Sequence, residues 1–372
     1  MLAMNCTSQR RKESRYAALI AAAVIVCSIS RGISIPLGAY NQDCYGAISV
    51  ARYLLLENLG PGPIDLYTQG AVPPFLYLPF LLVVRLLDLY GPLQDDICML
   101  ALYITCMVSI VFLSDRIIRT NNDTSKAILL SVLLLPICLS GSSDMYSPNA
   151  ELLGTPFLLY GYCALNCRKP KEYTLSWLFG LASLLICFFI KYQFILLIIL
   201  VLIEHSKRQK NKGTLSCVFI ISLLFCEAIM FRLQPGYGVI GNTADILREY
   251  SFRVASDHTG AGSSPPHAIS SLLDWVRSKT ILRPIAVILE AIRVLPLASI
   301  MALCLYFPKW LLGPLVLGRL RILRFDPWVT CSIASILPGS AHIFEHYILL
   351  LVPGIVIGAR EALVLQHSQD ND

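Results

Sequence analysis

The residues of this chain that could carry out chemistry are a few carboxylates and cations set among long apolar runs. Asp43 follows the first of these runs, and the apolar residues after it recur at helical spacing, which places Asp43 at the start of a short helix. A carboxylate at that position could have a catalytic role, since carboxylates can accept or donate a proton. It could also serve only as a helix cap, because the helix dipole favours an anion there.

Lys191 is the most unusual of the cations, since it stands inside the apolar stretch 174–203. A charged side chain inside a membrane segment is costly and is by default a hypothesis of function. A lysine near a helix end can also extend its ammonium to the membrane surface, and this alternative stays open. Arg52 and Arg85 are two further cations, and both fall in the predicted first outer loop.

Asp144 and Glu151 flank a predicted outer loop, and His346 precedes the last apolar run. The two carboxylates could shape a site, could bind a divalent cation together with Asp43, or could cap the following helix. His346 could belong to a functional site or to a solvated loop. The cysteines show no metal-binding spacing, so we assign no metal ligand and expect no required cofactor.

The elements that must position these residues are predicted to be membrane helices. Of the 372 residues, 56% are hydrophobic and 15% are charged, whereas a typical soluble domain is about 45–50% apolar and about 25% charged. We therefore predict an all-α polytopic membrane protein with a single domain, 1–372. The net charge of +6 comes from short basic clusters between apolar runs. Such clusters set topology, and no motif for nucleic acid is present.

Because lysine and arginine accumulate in cytoplasmic loops, we place every basic cluster inside. Both termini are then cytoplasmic, and about ten helices cross the membrane. A single span over 174–203 would put the basic cluster at Lys207 outside, so two short helices with a turn near Lys191 are predicted there. The ten predicted helices are 16–38, 96–115, 126–141, 151–167, two within 174–203, 214–233, 294–318, 326–338 and 346–362.

Two long outer loops follow from this topology, 39–95 and 234–293. Segment 72–90 of the first loop is apolar, but it contains Arg85 and Asp88 and begins with two prolines. These features suit a helix that lies in the membrane interface. An ordinary transmembrane helix is the alternative, although it would move the later basic clusters outside. Long loops on a membrane bundle usually carry function or are disordered.

The first loop contains an ordered set of short motifs, namely Asp43, Ala51-Arg52, Leu66-Tyr67, Pro73-Pro74 and Tyr90-Gly91. This order resembles that of the GT-C membrane glycosyltransferases, and most closely the group of protein O-mannosyltransferases and aminoarabinose transferases. Segments 142–165, 178–205 and 345–359 resemble later parts of the same family. Two positions depart from its pattern, since Cys44 stands where the family has a second carboxylate and Val72 where it has a basic residue.

The resemblance implies an enzyme that moves a hexose or pentose from a polyprenyl-phosphate donor to a protein, lipid or glycan acceptor. The active site would lie on the extracytoplasmic side, and we expect a bacterial inner membrane. Asp43 would be the general base, with inversion at the sugar. The expected roles of the other residues are donor-phosphate binding by Arg52, Arg85 and Lys191, and support or acceptor contact by Asp144, Glu151 and His346.

Two other classes of protein stay open. A secondary transporter or lipid flippase is one, although no repeat relates the two halves of the chain, as paired transporter repeats would. An inactive relative that acts as a scaffold is the other, because the second carboxylate of the family is Cys44 here. Retained binding of a polyprenyl phosphate without turnover would identify the scaffold.

Overall fold

The computed structural model describes residues 42–57, 72–87, 92–118, 147–166, 173–208, 213–233, 327–336, 349–358 and 360. Within these ranges all regular structure is helical and no strand occurs, in agreement with the all-α prediction. The helices predicted at 16–38, 126–141 and 294–318, and the outer loop 234–293, lie outside the described residues.

Nine α-helices make up the described part of the chain. They are α1 (Gln42–Glu57), α2 (Pro73–Leu86), α3 (Pro92–Ile117), α4 (Ala150–Asn166), α5 (Tyr173–Ile190), α6 (Ile195–Arg208), α7 (Thr214–Leu233), α8 (Pro327–Ile336) and α9 (351–358). One 3-10 turn, Tyr192–Phe194, precedes α6. The predicted helices 96–115, 151–167, 214–233, 326–338 and 346–362 correspond to α3, α4, α7, α8 and α9.

The helices α1 and α2 pack against each other and against α3. In α1 the buried residues share three- and four-residue spacing, so one face of the helix is covered. They are Cys44, Ala47, Ile48 and Ala51. The helix α2 begins with Pro73-Pro74. Proline suits the first turn of a helix, because the backbone N–H groups of that turn have no partner within the helix and proline has no N–H. Both helices lie in the segment 39–95, where helices were predicted, and the last residues of that segment form the first turn of α3.

Contacts along α4 and α5 show that these helices run antiparallel. Near the start of α4, the carbonyl of Gly154 accepts a hydrogen bond from the Cys187 thiol at 3.4 Å. Near the end of α4, Leu165 packs closely on Gly180, seven residues before Cys187. The small glycine allows the two helices to approach at this point.

The helix α6 runs in the opposite direction to α5 and therefore parallel to α4. Phe194, just before α6, packs on Gly154 at the start of α4. His205, in the last turn of α6, lies with its Nδ1 atom 3.0 Å from the carbonyl of Leu165 at the end of α4. The chain thus reverses direction at Lys191, and the predicted turn within 174–203 is confirmed.

Polar and apolar side chains are distributed differently from those of a typical soluble protein. Large hydrophobic side chains are exposed on several helices, including Phe179 of α5 and Phe225 of α7, while charged side chains such as Glu151 and Lys191 are buried. One described helix, Leu93–Ile117, is long and apolar enough to cross a bilayer. The helix α2 and most of α5 and α7 are apolar but shorter.

Candidate functional site

A buried ion pair joins the start of α4 to the turn between α5 and α6. The Nζ atom of Lys191 lies 3.0 Å from the Oε1 atom of Glu151, and the two side chains are 10% and 1% exposed. Glu151 belongs to the first turn of α4. Lys191 is an extended residue, with φ −155°, between α5 and the 3-10 turn. The fold therefore brings together two residues that the sequence analysis selected independently.

The dipoles of two helices favour both charges of this pair. The N-terminus of α4 carries a partial positive charge, which stabilises the Glu151 carboxylate. Lys191 follows the C-terminus of α5, whose partial negative charge stabilises an ammonium. A lone buried charge is very costly, whereas a close partner offsets part of the desolvation cost. The pair therefore keeps an ammonium among buried apolar side chains such as Ile190 and Phe194.

Neither helix capping by Glu151 nor extension of Lys191 to the membrane surface fits the contacts of these two residues. The cap of α4 is Asn149, whose side-chain oxygen accepts the backbone N–H of Leu152 at 3.0 Å, so capping does not account for Glu151. The Lys191 side chain reaches a buried carboxylate and is only 10% exposed. It therefore does not extend to a surface as a lysine at a helix end commonly does.

Tyr77 of α2 connects the start of α1 to the start of α4. Its hydroxyl donates to the carbonyl of Pro148 at 3.3 Å and lies close to the thiol of Cys44. Tyr77 is fully buried, so water does not compete for the bond to Pro148. Because Pro148 lies just before α4 and Cys44 follows Asp43, the start of α1 is at the same end of the helices as Glu151.

Asp43 is the second residue of α1, so the prediction that it stands at the start of a helix is confirmed. Arg52 lies nine residues further along α1. At 3.6 residues per turn, nine residues place the two positions about half a turn apart, on opposite sides of the helix. The register of α1 therefore does not direct Arg52 toward the side on which Asp43 lies.

Arg52 fastens α1 to the first turn of α3. Its Nη2 atom donates to the Oε1 atom of Gln94 at 2.7 Å and lies 2.9 Å from the Oδ1 atom of Asp95. Tyr45, on the same side of α1, donates to the Oδ1 atom of Asp96 at 2.9 Å. Gln94 and Asp95 were not predicted as part of the helix, because its predicted start was residue 96. The proline at the first position, Pro92, was the signal for the earlier start.

The remaining candidates lie apart from the ion pair or outside the described residues. Arg85 is exposed in the last turn of α2, eight residues or about 12 Å along the helix from Tyr77. Within the described ranges, no hydrogen bond or ion pair joins Arg85 to Glu151 or Lys191. Asp144 and His346 are outside the part of the chain that the structure describes.

A second polar network lies at the other end of α4 and α6. The hydroxyl of Tyr162 donates to the Oε1 atom of Glu204 at 3.1 Å, and Glu204 pairs with Arg208. Arg208 also donates to the carbonyl of Asn166 at 2.6 Å. The guanidinium of Arg360 lies 5.5 Å from the centroid of the Tyr162 ring. These contacts connect α4, α6 and Arg360, and Arg208 belongs to the basic cluster that begins at Lys207.

No three histidine, cysteine, aspartate or glutamate side chains in the described ranges lie close enough together to hold a metal ion. Comparison with protein-family models, with curated proteins and with solved structures finds no match to this chain. The function must therefore be argued from the residues and from their arrangement.

Proposed function

We propose that this chain is a multi-pass membrane glycosyltransferase of the GT-C type, which transfers a sugar from a polyprenyl phosphate to an acceptor hydroxyl on the extracytoplasmic side. The observation that carries the proposal is the buried Lys191–Glu151 pair at the end of the helices where α1 begins. An ammonium kept among apolar side chains suits the phosphate of a lipid-linked substrate. The carboxylate of Asp43 is the candidate base at the same end.

The membrane location is supported by the distribution of charge. Exposed apolar side chains on α5, α6 and α7 suit contact with lipid, and buried charged groups suit the interior of a helical bundle. Lys207 and Arg208, at the end of α6, are exposed basic residues, and such residues favour the cytoplasmic side. The opposite end of α6, where Lys191 lies, is then extracytoplasmic.

In the proposed reaction the acceptor oxygen attacks the anomeric carbon of the donor sugar. The proton of the acceptor hydroxyl moves to Asp43, which acts as the general base. The bond between the anomeric carbon and the phosphate oxygen breaks, and its electron pair stays on the phosphate. Attack from the side opposite the phosphate gives inversion at the sugar.

The leaving phosphate gains negative charge as this bond breaks, so a fixed cation lowers the barrier more than a proton donor would. Lys191 is the described cation best placed for that role, because it is buried and lies at the end where α1 begins. Arg52 is committed to α3, and Arg85 is exposed at the far end of α2. We therefore rank Lys191 ahead of both arginines as the phosphate ligand.

The test uses the purified full-length protein in lipid with a panel of radiolabelled polyprenyl-phosphate sugars and a cell extract as the source of acceptor. Release of polyprenyl phosphate is followed for the native protein, Asp43→Asn and Glu204→Gln. Glu204 is the matched control, because it is also an ion-paired carboxylate but lies at the opposite end of α6. We expect release by the native protein and by Glu204→Gln, and its loss in Asp43→Asn.

Each other outcome has a definite meaning. Equal release by the native protein and Asp43→Asn would keep the enzyme and remove Asp43 as its base, with Asp144 tested next. Absence of release with every donor would reject the glycosyltransferase. The donor panel tests which sugar is moved, and the cell extract supplies the acceptor. A bacterial inner membrane as the site of action is a further part of the proposal.

A transporter or flippase is the runner-up, and the turn at Lys191 bears on it. Transporter sites are commonly built from interrupted helices near the middle of the membrane. Here α5 and α6 reverse direction at Lys191, so the interruption is the turn of a helical hairpin and sits at its end. Uptake of a labelled polyprenyl phosphate into the inner leaflet of vesicles, without chemical change, would favour the transporter instead.

A further inference from the structure

The ammonium of Lys191 already has an anionic partner before any substrate is bound. Its Nζ atom is 3.0 Å from the Oε1 atom of Glu151, and neither side chain is more than 10% exposed. A phosphate that approaches Lys191 would bring a second anion to one cation. In apolar surroundings two anions close together on one cation are costly, because water cannot screen their repulsion.

We propose that Glu151 is a positioning residue that holds Lys191 in the empty site and is exchanged for the phosphate of the lipid-linked donor. The inference rests on the proposed function, since it takes the phosphate of that donor as the ligand. It adds to that proposal a competition between the protein's own carboxylate and the substrate. The phosphate binds by replacing Glu151 at the ammonium.

The geometry indicates which partner moves. Glu151 is in the first turn of α4, next to the cap that Asn149 forms, so its backbone is held by the helix. Lys191 lies between two helices in an extended conformation, and its side chain is a flexible four-carbon stem. The ammonium can therefore swing from Glu151 to a phosphate while α4, α5 and α6 stay in place.

Competition predicts opposite effects for the two halves of the pair. Replacing Glu151 by Gln removes the competing anion, so a polyprenyl phosphate should bind more tightly. The expected gain is about tenfold, because the charge-assisted bond between Lys191 and Glu151 no longer has to be broken. Replacing Lys191 by Met should weaken binding by about tenfold or more, for the loss of the ammonium. In the Lys191→Met background, Glu151→Gln should have no further effect, because nothing remains to compete for.

The experiment measures binding of farnesyl phosphate to the full-length protein in detergent, with farnesol and inorganic phosphate as separate probes. Farnesol should bind equally to all variants, because it has the tail but no phosphate. Inorganic phosphate should bind far more weakly than farnesyl phosphate if the ligand is a lipid. Glu204→Gln is again the matched control, and its affinity for farnesyl phosphate should equal that of the native protein.

Weaker binding of farnesyl phosphate by Glu151→Gln would overturn the proposal, because Glu151 would then assist the ligand. An equal gain from Glu151→Gln with and without Lys191 would also overturn it. If Glu151→Gln fails to fold, the native protein is treated with dicyclohexylcarbodiimide, which couples an adjacent carboxylate and amine. Farnesyl phosphate should then suppress the crosslink between Glu151 and Lys191, and an unchanged yield would refute the exchange.

These measurements contain neither a sugar donor nor an acceptor, so they are independent of turnover. Tighter binding by Glu151→Gln in a protein that transfers no sugar would keep the exchange and reject the glycosyltransferase. Sugar transfer with no effect of Glu151→Gln on binding would keep the enzyme and reject the exchange.

Discussion

Substitution of Gly154 by alanine tests how closely α4 and the turn before α6 are packed. A Cβ atom on Gly154 would lie 2.3 Å from the Cε2 atom of Phe194 and 2.9 Å from its Cζ atom. Ordinary contacts between carbon atoms are about 3.5–4.0 Å. The Phe194 ring is fully buried, so it cannot move into solvent to make room.

The expected cost follows from two opposing terms. Forcing one extra methyl group into a packed interior costs about 1–3 kcal/mol. Alanine in place of glycine within a helix returns up to about 1 kcal/mol. We therefore expect Gly154→Ala to lower the free energy of unfolding by about 1–2 kcal/mol. Because Phe194 is three residues from Lys191, the substitution should also weaken binding of farnesyl phosphate.

Two further variants make this prediction specific. Gly46 lies in α1, and a Cβ atom added to it would meet nothing within 4 Å, so Gly46→Ala should be neutral or should stabilise by up to about 1 kcal/mol. Phe194→Leu should cost less in the Gly154→Ala background than in the native protein, with a coupling energy of about 1 kcal/mol. Thermal unfolding in a mild detergent gives the stability of the native protein, of the three single variants and of the double variant. Stabilisation by Gly154→Ala equal to that by Gly46→Ala would refute the close packing.

Three more predictions concern the polar contacts. Lys191→Met should lower the free energy of unfolding by about 3–5 kcal/mol, because it leaves Glu151 buried without its cation. In thermal unfolding, the double variant with Glu151→Gln should recover most of this loss. Arg52→Ala should lower the free energy of unfolding by about 1 kcal/mol. This is less than the loss of a fully buried ion pair would cost, because the Arg52–Asp95 pair is partly exposed. An effect that does not change with salt concentration would contradict this assignment. Tyr162→Phe should cost about 1–2 kcal/mol and speed proteolysis near Arg360, since the Tyr162 hydroxyl donates to Glu204 and accepts from Arg360. Equal proteolysis rates would refute it.

Several elements could be predicted from the sequence because hydropathy and charge mark their ends. The helix α7 has the predicted bounds, and α4 differs from its prediction by one residue at each end. The turn at Lys191 was predicted from topology, since a single long helix would have put basic residues on the wrong side. These predictions use the local sequence and the number of membrane crossings, and they need no knowledge of which helices pack together.

The partners of the charged residues could not be predicted in the same way. The contact between Glu151 and Lys191 depends on the antiparallel packing of α4 and α5, which hydropathy does not specify. The attachment of Arg52 to Gln94 and Asp95 depends on the first turn of α3. That turn is polar, so a search for apolar runs assigned it to the preceding loop.

The order of residues along the chain has a consequence for synthesis of the protein. In the proposed topology, the α5–α6 hairpin must carry the ammonium of Lys191 across the bilayer at its tip. Glu151 is made before Lys191, in the helix that packs along α5. The growing chain therefore has a counter-charge in place before the hairpin enters. Lys191 therefore meets its counter-charge as soon as it reaches the outer side, whereas the reverse order would leave a lone ammonium there until α4 was made.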